Sequence, residues 1–402
     1  MSKKSRFIPS NIGHEMDNTD LAIHAEFLIK LLRHSLDGKT AENIPKNIDL
    51  KKIYYLASLH SVAPAVYPAI KHLSHPSVEV FKQDHQKAWR KTAVQYIENS
   101  SILSKADEFN VDCIPLKGSI LKELYPSPEM RTMADLDFLC NINKIEDIKM
   151  IMYQLGYIPH AEADNHFIFY KEPLMNVEFH PNLLSNTYFS EYVNPGWQYA
   201  VGTGKDKPLR SLTREGFLIH LVAHTAKHFI NGGFGIRSVM DIWVYLKHYQ
   251  KQLDNITLNR ELRHAKLLDF YNHLKALSEA WFGEGEMTPL LAEMGDYIIK
   301  SCTYGTKQNH LKTKLGNGNY KNNRRKYILS SVFPSYRVMC GKYPRLVKSP
   351  LLLPFYWIKR DFSIVCFQYK KAKLWIRDFS TVKESEVDKN RELLTLFGLK
   401  TE

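Results

Sequence analysis

The sequence predicts an α+β protein in which a small mixed β-sheet packs among N-terminal and C-terminal helices. Two observations support this class. Long stretches before residue 109 and after residue 206 repeat apolar residues at three- and four-residue spacing, which is typical of helices that bury one face. Between them, short apolar or alternating runs typical of strands are separated by helical segments.

The N-terminal region, residues 1–108, is predicted to be helical. Residues 20–36 carry the helical period and begin with Asp20, a residue type that caps helices. Residues 50–72 and 76–108 repeat the same period. We therefore expect three helices before the first strand.

Residues 109–205 are predicted to form an α/β core with the element order β, α, β, α, β, β. The successive segments are CIPLK, the short helix GSILKELY, the alternating strand MADLDFLC, the amphipathic helix NKIEDIKMIMYQLGY, and the strands HFIFYKE and MNVEFH. The last two strands are separated by a turn that contains proline.

The chain returns to helical periodicity in residues 206–315, which we predict to be a helical domain. The polar, glycine-bearing segment GNGNYKNN at 316–323 is predicted to be a loop. It begins the last region, residues 316–402, which is basic and rich in aromatic residues.

Composition narrows the class of protein. The chain has 402 residues, of which 44% are hydrophobic and 24% charged, and both values are typical of globular proteins. Its five cysteines contain no CxxC pair, so neither a disulfide framework nor a zinc cluster is expected. The N-terminus lacks the apolar segment of a signal peptide, and the apolar run LLLPFYWI is far shorter than the roughly 20 residues of a membrane-spanning helix. We expect a cytoplasmic protein without transmembrane segments.

Positive charge is concentrated near the C-terminus. The whole chain has a formal net charge of +13, while residues 301–380 contain 17 basic and 2 acidic residues. Three interpretations of this region stay open at this stage. It binds a nucleic acid, it lies peripherally on an anionic membrane surface, or its helices only have solvated basic faces.

Two aspartates in the strand MADLDFLC are candidate metal ligands. Asp135 and Asp137 are two residues apart, so both side chains point to one face of the strand while Leu136 and Phe138 point to the other. Carboxylates that are so close repel each other unless a cation lies between them, and Mg²⁺ prefers oxygen ligands. Taken alone, however, an Asp-x-Asp pattern in a strand is more often a solvated face.

The strand MNVEFH repeats this arrangement. Val177 and Phe179 are predicted to be buried, whereas Glu178 and His180 point to the opposite face. Glu178 is the candidate for a third carboxylate, and three acids on neighbouring strands suit a site with two metal ions.

Lys117, Gly118 and Ser119 lie where a short apolar strand meets a helix. Gly118 permits close backbone approach, the helix N-terminus offers free N–H groups, Ser119 adds a hydroxyl and Lys117 a cation. These features suit phosphate binding. The more ordinary interpretation is a turn followed by a helix cap.

Together these elements resemble the DNA polymerase β-like nucleotidyltransferase superfamily. The segment IPLKGSILKELYPSPEMRTMADLDFL, followed by LGY, His166 and VEFH, resembles the family of uncharacterised nucleotidyltransferases, most strongly over residues 111–181. The resemblance implies that residues 109–205 are the nucleotidyltransferase core, that Asp135 and Asp137 hold Mg²⁺ with Glu178 as third carboxylate, and that Gly118 and Ser119 contact the nucleoside triphosphate. It also matches Lys117, Arg131 and His180 to residues typical of the family, which we assign to nucleotide binding. The 17 positions between Gly118 and Asp135 exceed the spacing in many members of the superfamily.

The helical region after residue 211 contributes candidate residues of the substrate cleft. His220 and His224 share a helix face, but no neighbouring glutamate base or third ligand accompanies them, so zinc is not expected. We expect His224, Lys227, Arg237 and Asp241 to face the bound substrate. Alternatively, Arg237 and Asp241 form an ordinary surface pair four residues apart.

We therefore predict a Mg²⁺-dependent nucleotidyltransferase that moves a nucleoside monophosphate from a nucleoside triphosphate, with ATP expected, to an acceptor. Mn²⁺ is the alternative metal. The acceptor is a small molecule, an RNA end or a protein side chain. A hypothesis from a different class is a non-catalytic regulatory or scaffold protein that binds nucleotide with the same fold.

Overall fold

The computed structural model describes residues 16–163, 166–173, 175–184, 193, 196–202, 208–303, 305–316, 323–367 and 369–399. The chain forms two compact units. The first comprises Met1–Phe229 and Phe234–Tyr304, and the second comprises Ile230–Gly233 and Gly305–Glu402. The first unit contains a small mixed sheet among helices, so the predicted α+β class is confirmed.

The described part of the first unit begins with four helices, α1 (Asn18–Leu36), α2 (Leu50–Leu59), α3 (Ala63–Ile70) and α4 (Val78–Glu108). The cap of α1 is Asp17, whose carboxylate accepts a hydrogen bond from the Asp20 amide at 2.8 Å, so Asp20 lies in the first turn and the expected cap was wrong. The predicted helix at 50–72 is divided in two, because Ser61 has φ +56° and interrupts it.

The five-stranded sheet has the order β1-β2-β5-β4-β3. Its strands are β1 (Cys113–Pro115), β2 (Asp135–Cys140), β3 (Ile158–Ala163), β4 (His166–Lys171) and β5 (Met175–His180), with the short helix α5 (Gly118–Leu121) after β1 and α6 (Ile145–Gln154) after β2. Strands β2 and β5 are parallel and the other neighbours are antiparallel, so the sheet is mixed as predicted. Strand β3 is absent from the sequence-based prediction.

One face of the sheet is the hydrophobic core of this unit. Phe138 and Phe179 stack at 5.4 Å between ring centroids, and Phe169 meets Phe179 edge-on at 5.8 Å. Apolar residues of α4 and α6, including Ile102 and Ile151, are buried against this face. Because side chains alternate along a strand, the residues next to each of these phenylalanines point to the other face of the sheet.

The remaining described residues of the first unit include a two-stranded ribbon and five helices. The ribbon pairs β6 (Ala200–Gly202) with β7 (Leu209–Leu212) and was also missed by the prediction. The helices are α7 (Arg214–Ile230), α8 (Ile236–Tyr249), α9 (Asn255–His264), α10 (Leu268–Phe282) and α11 (Pro289–Ser301).

The second unit is helical. It contains α12 (Lys307–Gly316), α13 (Arg324–Val332), α14 (Tyr336–Lys342), α15 (Leu353–Phe367), α16 (Tyr369–Thr381) and α17 (Glu384–Leu396), around a small core of Leu311, Leu315, Val382 and Val387. Residues 317–322 of the predicted loop at 316–323 lie outside the described residues. Among the helices described in either unit, none combines the length and apolar character needed to cross a bilayer.

Candidate active site

The polar face of the sheet carries a compact group of potential metal ligands. In the parallel pairing of β2 with β5, Asp137 lies directly opposite Glu178, and Leu139 lies opposite His180. Asp137, Glu178 and His180 can each supply one ligand atom such that the three atoms lie within 4.8 Å of one another. Among the described residues this is the only such group of three, and it contains two of the three predicted carboxylates.

Lys117 reaches this group from an unusual turn. It follows β1 and precedes α5, with φ +46° and ψ −113°, and the Ser119 amide donates to the Leu116 carbonyl at 3.2 Å. These angles are those of the first central position of a type II′ turn, where glycine is the usual residue. The Lys117 ammonium lies 3.1 Å from an oxygen of Asp137. A strained backbone therefore directs a cation onto a site carboxylate.

Two histidines border the carboxylates. The imidazole Nε2 of His180 is 2.8 Å from Asp137 and 3.9 Å from Glu178, and the ring N–H donates to the Asp137 carboxylate. His166, on β4, stacks on His180 at 5.3 Å and its Nε2 lies 4.0 Å from Glu178. His166 was not among the predicted site residues, although strand alternation on β4 places it on this face.

The two aspartates have opposite pKa shifts. Burial, followed by the negative charges of Asp137 and Glu178, raises the pKa of Asp135 to about 6. Burial would also raise the pKa of Asp137, but the Lys117 ammonium and the hydrogen bond from His180 lower it below the ordinary value. The negative charge of Asp135 is thus only weakly balanced by nearby cations, whereas that of Asp137 is balanced by Lys117 and His180.

A cavity of about 370 Å³ opens over the polar face of the sheet. Its walls include Asp135, Asp137, Glu178, His166 and His180 from the sheet. Helices α7 and α8 supply His224, Lys227, His228, Arg237 and Asp241. All four predicted cleft residues therefore line the same cavity as the acids, together with Lys117, Gly118 and Arg131.

Burial lowers the pKa values of the histidines of α7. The Nε2 atoms of His224 and His228 are 3.0 Å apart, and burial lowers the pKa of His228 to about 4 and that of His224 well below its ordinary value. His220, one turn before His224, is fully buried and its ring nitrogens have no hydrogen-bond partner among the described residues. His228 was not predicted as a site residue, and its signal was the four-residue spacing from His224.

Asp241 does not belong to a surface pair, so that alternative was wrong. Its side chain is buried, and it accepts hydrogen bonds from Arg131 Nε at 2.7 Å, from a terminal nitrogen of Arg131 at 2.8 Å and from the Tyr125 hydroxyl at 2.8 Å. The remaining terminal nitrogen of Arg131 donates to the Thr132 carbonyl at 2.7 Å. Arg131 is therefore fixed by protein groups at the edge of the cavity.

Gly118 and Ser119 differ in their exposure to the cavity. Gly118 is buried and lines it, and a Cβ at this position would lie 2.7 Å from the Met133 sulfur and 3.3 Å from the Arg131 guanidinium. The Ser119 hydroxyl oxygen is buried and has no hydrogen-bond partner among the described residues, and Ser119 is not among the lining residues. The absence of a side chain at position 118 thus allows Met133 and Arg131 to approach the turn.

Comparisons with known proteins relate this arrangement to one family. Residues 46–283, more than half of the chain, match the family model described as uncharacterised nucleotidyltransferase. One solved structure with some similarity is the solution structure of the antibiotic-resistance factor ANT(2'')-Ia, at 14% identity and a TM-score of 0.33, over 45% of this chain and 98% of that one. No curated protein matches the chain.

Proposed function

The chain belongs to the uncharacterised nucleotidyltransferase family. From this premise we propose that it moves a nucleoside monophosphate from a nucleoside triphosphate to an acceptor, with ATP as the first candidate for the triphosphate. One observation carries the proposal. Asp137 and Glu178, opposite each other on parallel strands, face a cavity that Lys117, Lys227 and Arg237 also line. A site with carboxylates on one side and cations on another suits a polyphosphate that is bound together with a metal ion.

The residues fit a divalent metal ion. The raised pKa of Asp135 reflects burial and negative charge that a cation would relieve, and the ligand atoms of Asp137, Glu178 and His180 are already close together. We assign Asp135, Asp137 and Glu178 to Mg²⁺ in a two-metal arrangement, with His180 beside them. The imidazole nitrogen makes Mn²⁺ a second suitable ion. When bound, the metal neutralises charge on the phosphates and favours departure of pyrophosphate.

The cations of the cavity are assigned to the triphosphate. The Lys117 ammonium lies 3.1 Å from Asp137, and burial together with the charge of Lys117 lowers the pKa of Lys227. A triphosphate between these two ammonium groups would relieve their repulsion. Arg131 was predicted to bind nucleotide, but Asp241 and Thr132 accept the hydrogen bonds of its guanidinium. We therefore assign Arg131 a positioning role, in which it holds α8 against the segment before β2.

The reaction that follows is a direct displacement. An oxygen of the acceptor attacks the α-phosphorus, the bond between this phosphorus and the bridging oxygen breaks, and pyrophosphate leaves. A carboxylate of the site accepts the proton of the attacking hydroxyl. The protein contributes orientation and preorganised charge rather than a covalent intermediate.

Metal and nucleotide binding test the site without knowledge of the acceptor. Mn²⁺ binding is followed by electron paramagnetic resonance with and without ATP in the wild type, in Asp137→Asn and in Glu178→Gln. Glu146→Gln is the control, because Glu146 is an exposed carboxylate on α6 that forms an ion pair with Lys149 at 2.8 Å. We expect the two site variants to weaken Mn²⁺–ATP binding at least about tenfold and the control to leave it unchanged, since each variant removes one charged ligand. Wild-type affinity in both site variants would contradict the proposal.

A further inference from the structure

Helix α15 of the second unit has an apolar stripe that faces solvent. Leu351, in the turn before the helix, and Phe355, Ile358 and Phe362 follow each other at spacings of four, three and four residues, which places them on one helix face. Their exposed fractions are 94%, 58%, 70% and 65%. Side chains of this size are normally directed to a core when they share one face of a helix. Among the described residues of the second unit, the stripe is therefore left largely uncovered.

Other exposed apolar residues and a strong positive charge accompany the stripe. In the same unit Leu329, Val332, Val338, Val347 and Ile376 are also exposed. Exposed basic residues alternate with them along the chain, namely Arg325, Lys326, Arg337, Lys342, Arg345, Lys348, Lys359, Lys373 and Arg377. A merely solvated basic face explains the cations but not the exposed aliphatic side chains.

We propose that α15 and its basic surroundings bind the surface of an anionic lipid membrane, with the apolar stripe inserted between lipid headgroups. Charge complementarity selects this partner. Residues 301–380 contain 17 basic and 2 acidic residues, and both acids form ion pairs, Asp361 with Arg360 at 2.9 Å and Asp378 with Arg377 at 3.5 Å. A second copy of so basic a surface would be repelled, whereas anionic headgroups attract it and the acyl region accepts the stripe.

The aromatic residues favour lipid over single-stranded nucleic acid. The Trp357 indole donates to the Pro334 carbonyl at 2.9 Å and its ring packs edge-on against Phe333 at 5.3 Å. The rings of Tyr343 and Tyr356 pack together at 4.7 Å. Rings that are engaged in this way are less accessible for stacking on bases, and the two most exposed residues of the stripe, Leu351 and Ile358, are aliphatic and do not stack.

Vesicle co-sedimentation of the full chain tests the proposal. The vesicles are phosphatidylcholine with about 30% phosphatidylserine, compared with pure phosphatidylcholine, each at low and high salt. We expect sedimentation only with the anionic vesicles, weakened by salt. Phe355→Ser combined with Ile358→Ser should lower the partition coefficient at least about tenfold, because two apolar side chains no longer leave water.

The control is Ile256→Ser, which removes an apolar side chain that is 82% exposed on α9 of the first unit. It should sediment like the wild type. Because all three positions are exposed, the variants should unfold at the wild-type temperature. The proposal is overturned if the full chain does not sediment with anionic vesicles at low salt, or if the double variant binds as well as the wild type. It is equally overturned if a single-stranded RNA is retarded in a gel shift while the vesicles are not bound.

Discussion

Two substitutions of Lys117 separate the strain of its backbone from the charge of its side chain. The residue has φ +46° and ψ −113°, a conformation that glycine adopts readily and other residues rarely. Both Lys117→Gly and Lys117→Ala remove the ammonium that lies 3.1 Å from Asp137. The two variants therefore differ in their backbone preferences and not in side-chain charge.

The difference between the variants follows from two opposing terms. Holding a non-glycine residue in a sparsely populated backbone region costs about 1–3 kcal/mol. Glycine gives the unfolded chain more conformational freedom, which lowers the free energy of unfolding by about 0.5–1 kcal/mol relative to alanine. We therefore expect Lys117→Gly to be more stable than Lys117→Ala by up to about 2.5 kcal/mol, with a central value of about 1 kcal/mol, which reverses the usual order.

Urea unfolding of both variants measures this difference. The matched control is the pair Lys87→Gly and Lys87→Ala, because Lys87 is exposed within α4 and alanine should be the more stable there by about 1 kcal/mol. Both Lys117 variants should bind ATP more weakly than the wild type to a similar extent. If alanine is more stable than glycine at position 117 by about 1 kcal/mol, as expected at position 87, the strained turn does not exist in solution.

Three further predictions concern the surroundings of the site. Burial lowers the pKa of Lys122, whose ammonium donates to Thr92 and Gln95, from 10.5 to about 7. Between pH 7 and pH 10.5 the unfolded chain keeps the Lys122 proton that the folded protein has lost, so the free energy of unfolding should rise with pH. The expected rise is about 3 kcal/mol from pH 6 to pH 9, measured by urea unfolding, and Lys122→Met should lack it. Asp241→Asn should cost about 3–5 kcal/mol in the same assay, because the buried Arg131 guanidinium loses its counter-charge, and a loss below about 1 kcal/mol would refute the assignment. Gly118→Val should lower the melting temperature and weaken ATP binding, because its Cβ would lie 2.7 Å from the Met133 sulfur; wild-type values for both would contradict this.

The sequence predicted the acidic face of the sheet because strand alternation is a local property. Once MADLDFLC and MNVEFH are strands, their alternation with the buried apolar residues places Asp135, Asp137 and Glu178 on the opposite face of the sheet. Strand β3 and the ribbon of β6 and β7 were missed because their stability depends on pairing with other strands. Their own residues carry a weak apolar pattern.

The charge balance within the site depends on contacts that sequence spacing does not reveal. From the sequence, Asp135 and Asp137 are a repelling pair, and Asp137→Asn is expected to leave stability unchanged or raise it. In the structure Lys117 and His180 both contact Asp137, so this substitution should instead lower stability. The partner of Asp241 could not be predicted from sequence spacing either. Helix periodicity pairs Asp241 with Arg237, four residues away, whereas its partner in the structure is Arg131, 110 residues away.

The transfer of label from ATP tests the proposed reaction most directly. The wild type, Asp137→Asn and the control Glu146→Gln are incubated with a divalent metal, with a heat-treated cell extract, whose own enzymes are inactive, as source of acceptor, and with ATP labelled on either the α- or the γ-phosphorus. We expect metal-dependent incorporation of the α-label alone by the wild type and by Glu146→Gln, and none by Asp137→Asn, because the γ-phosphorus leaves with pyrophosphate. Incorporation of the γ-label, or undiminished incorporation of the α-label by Asp137→Asn, would contradict nucleotidyl transfer at these carboxylates.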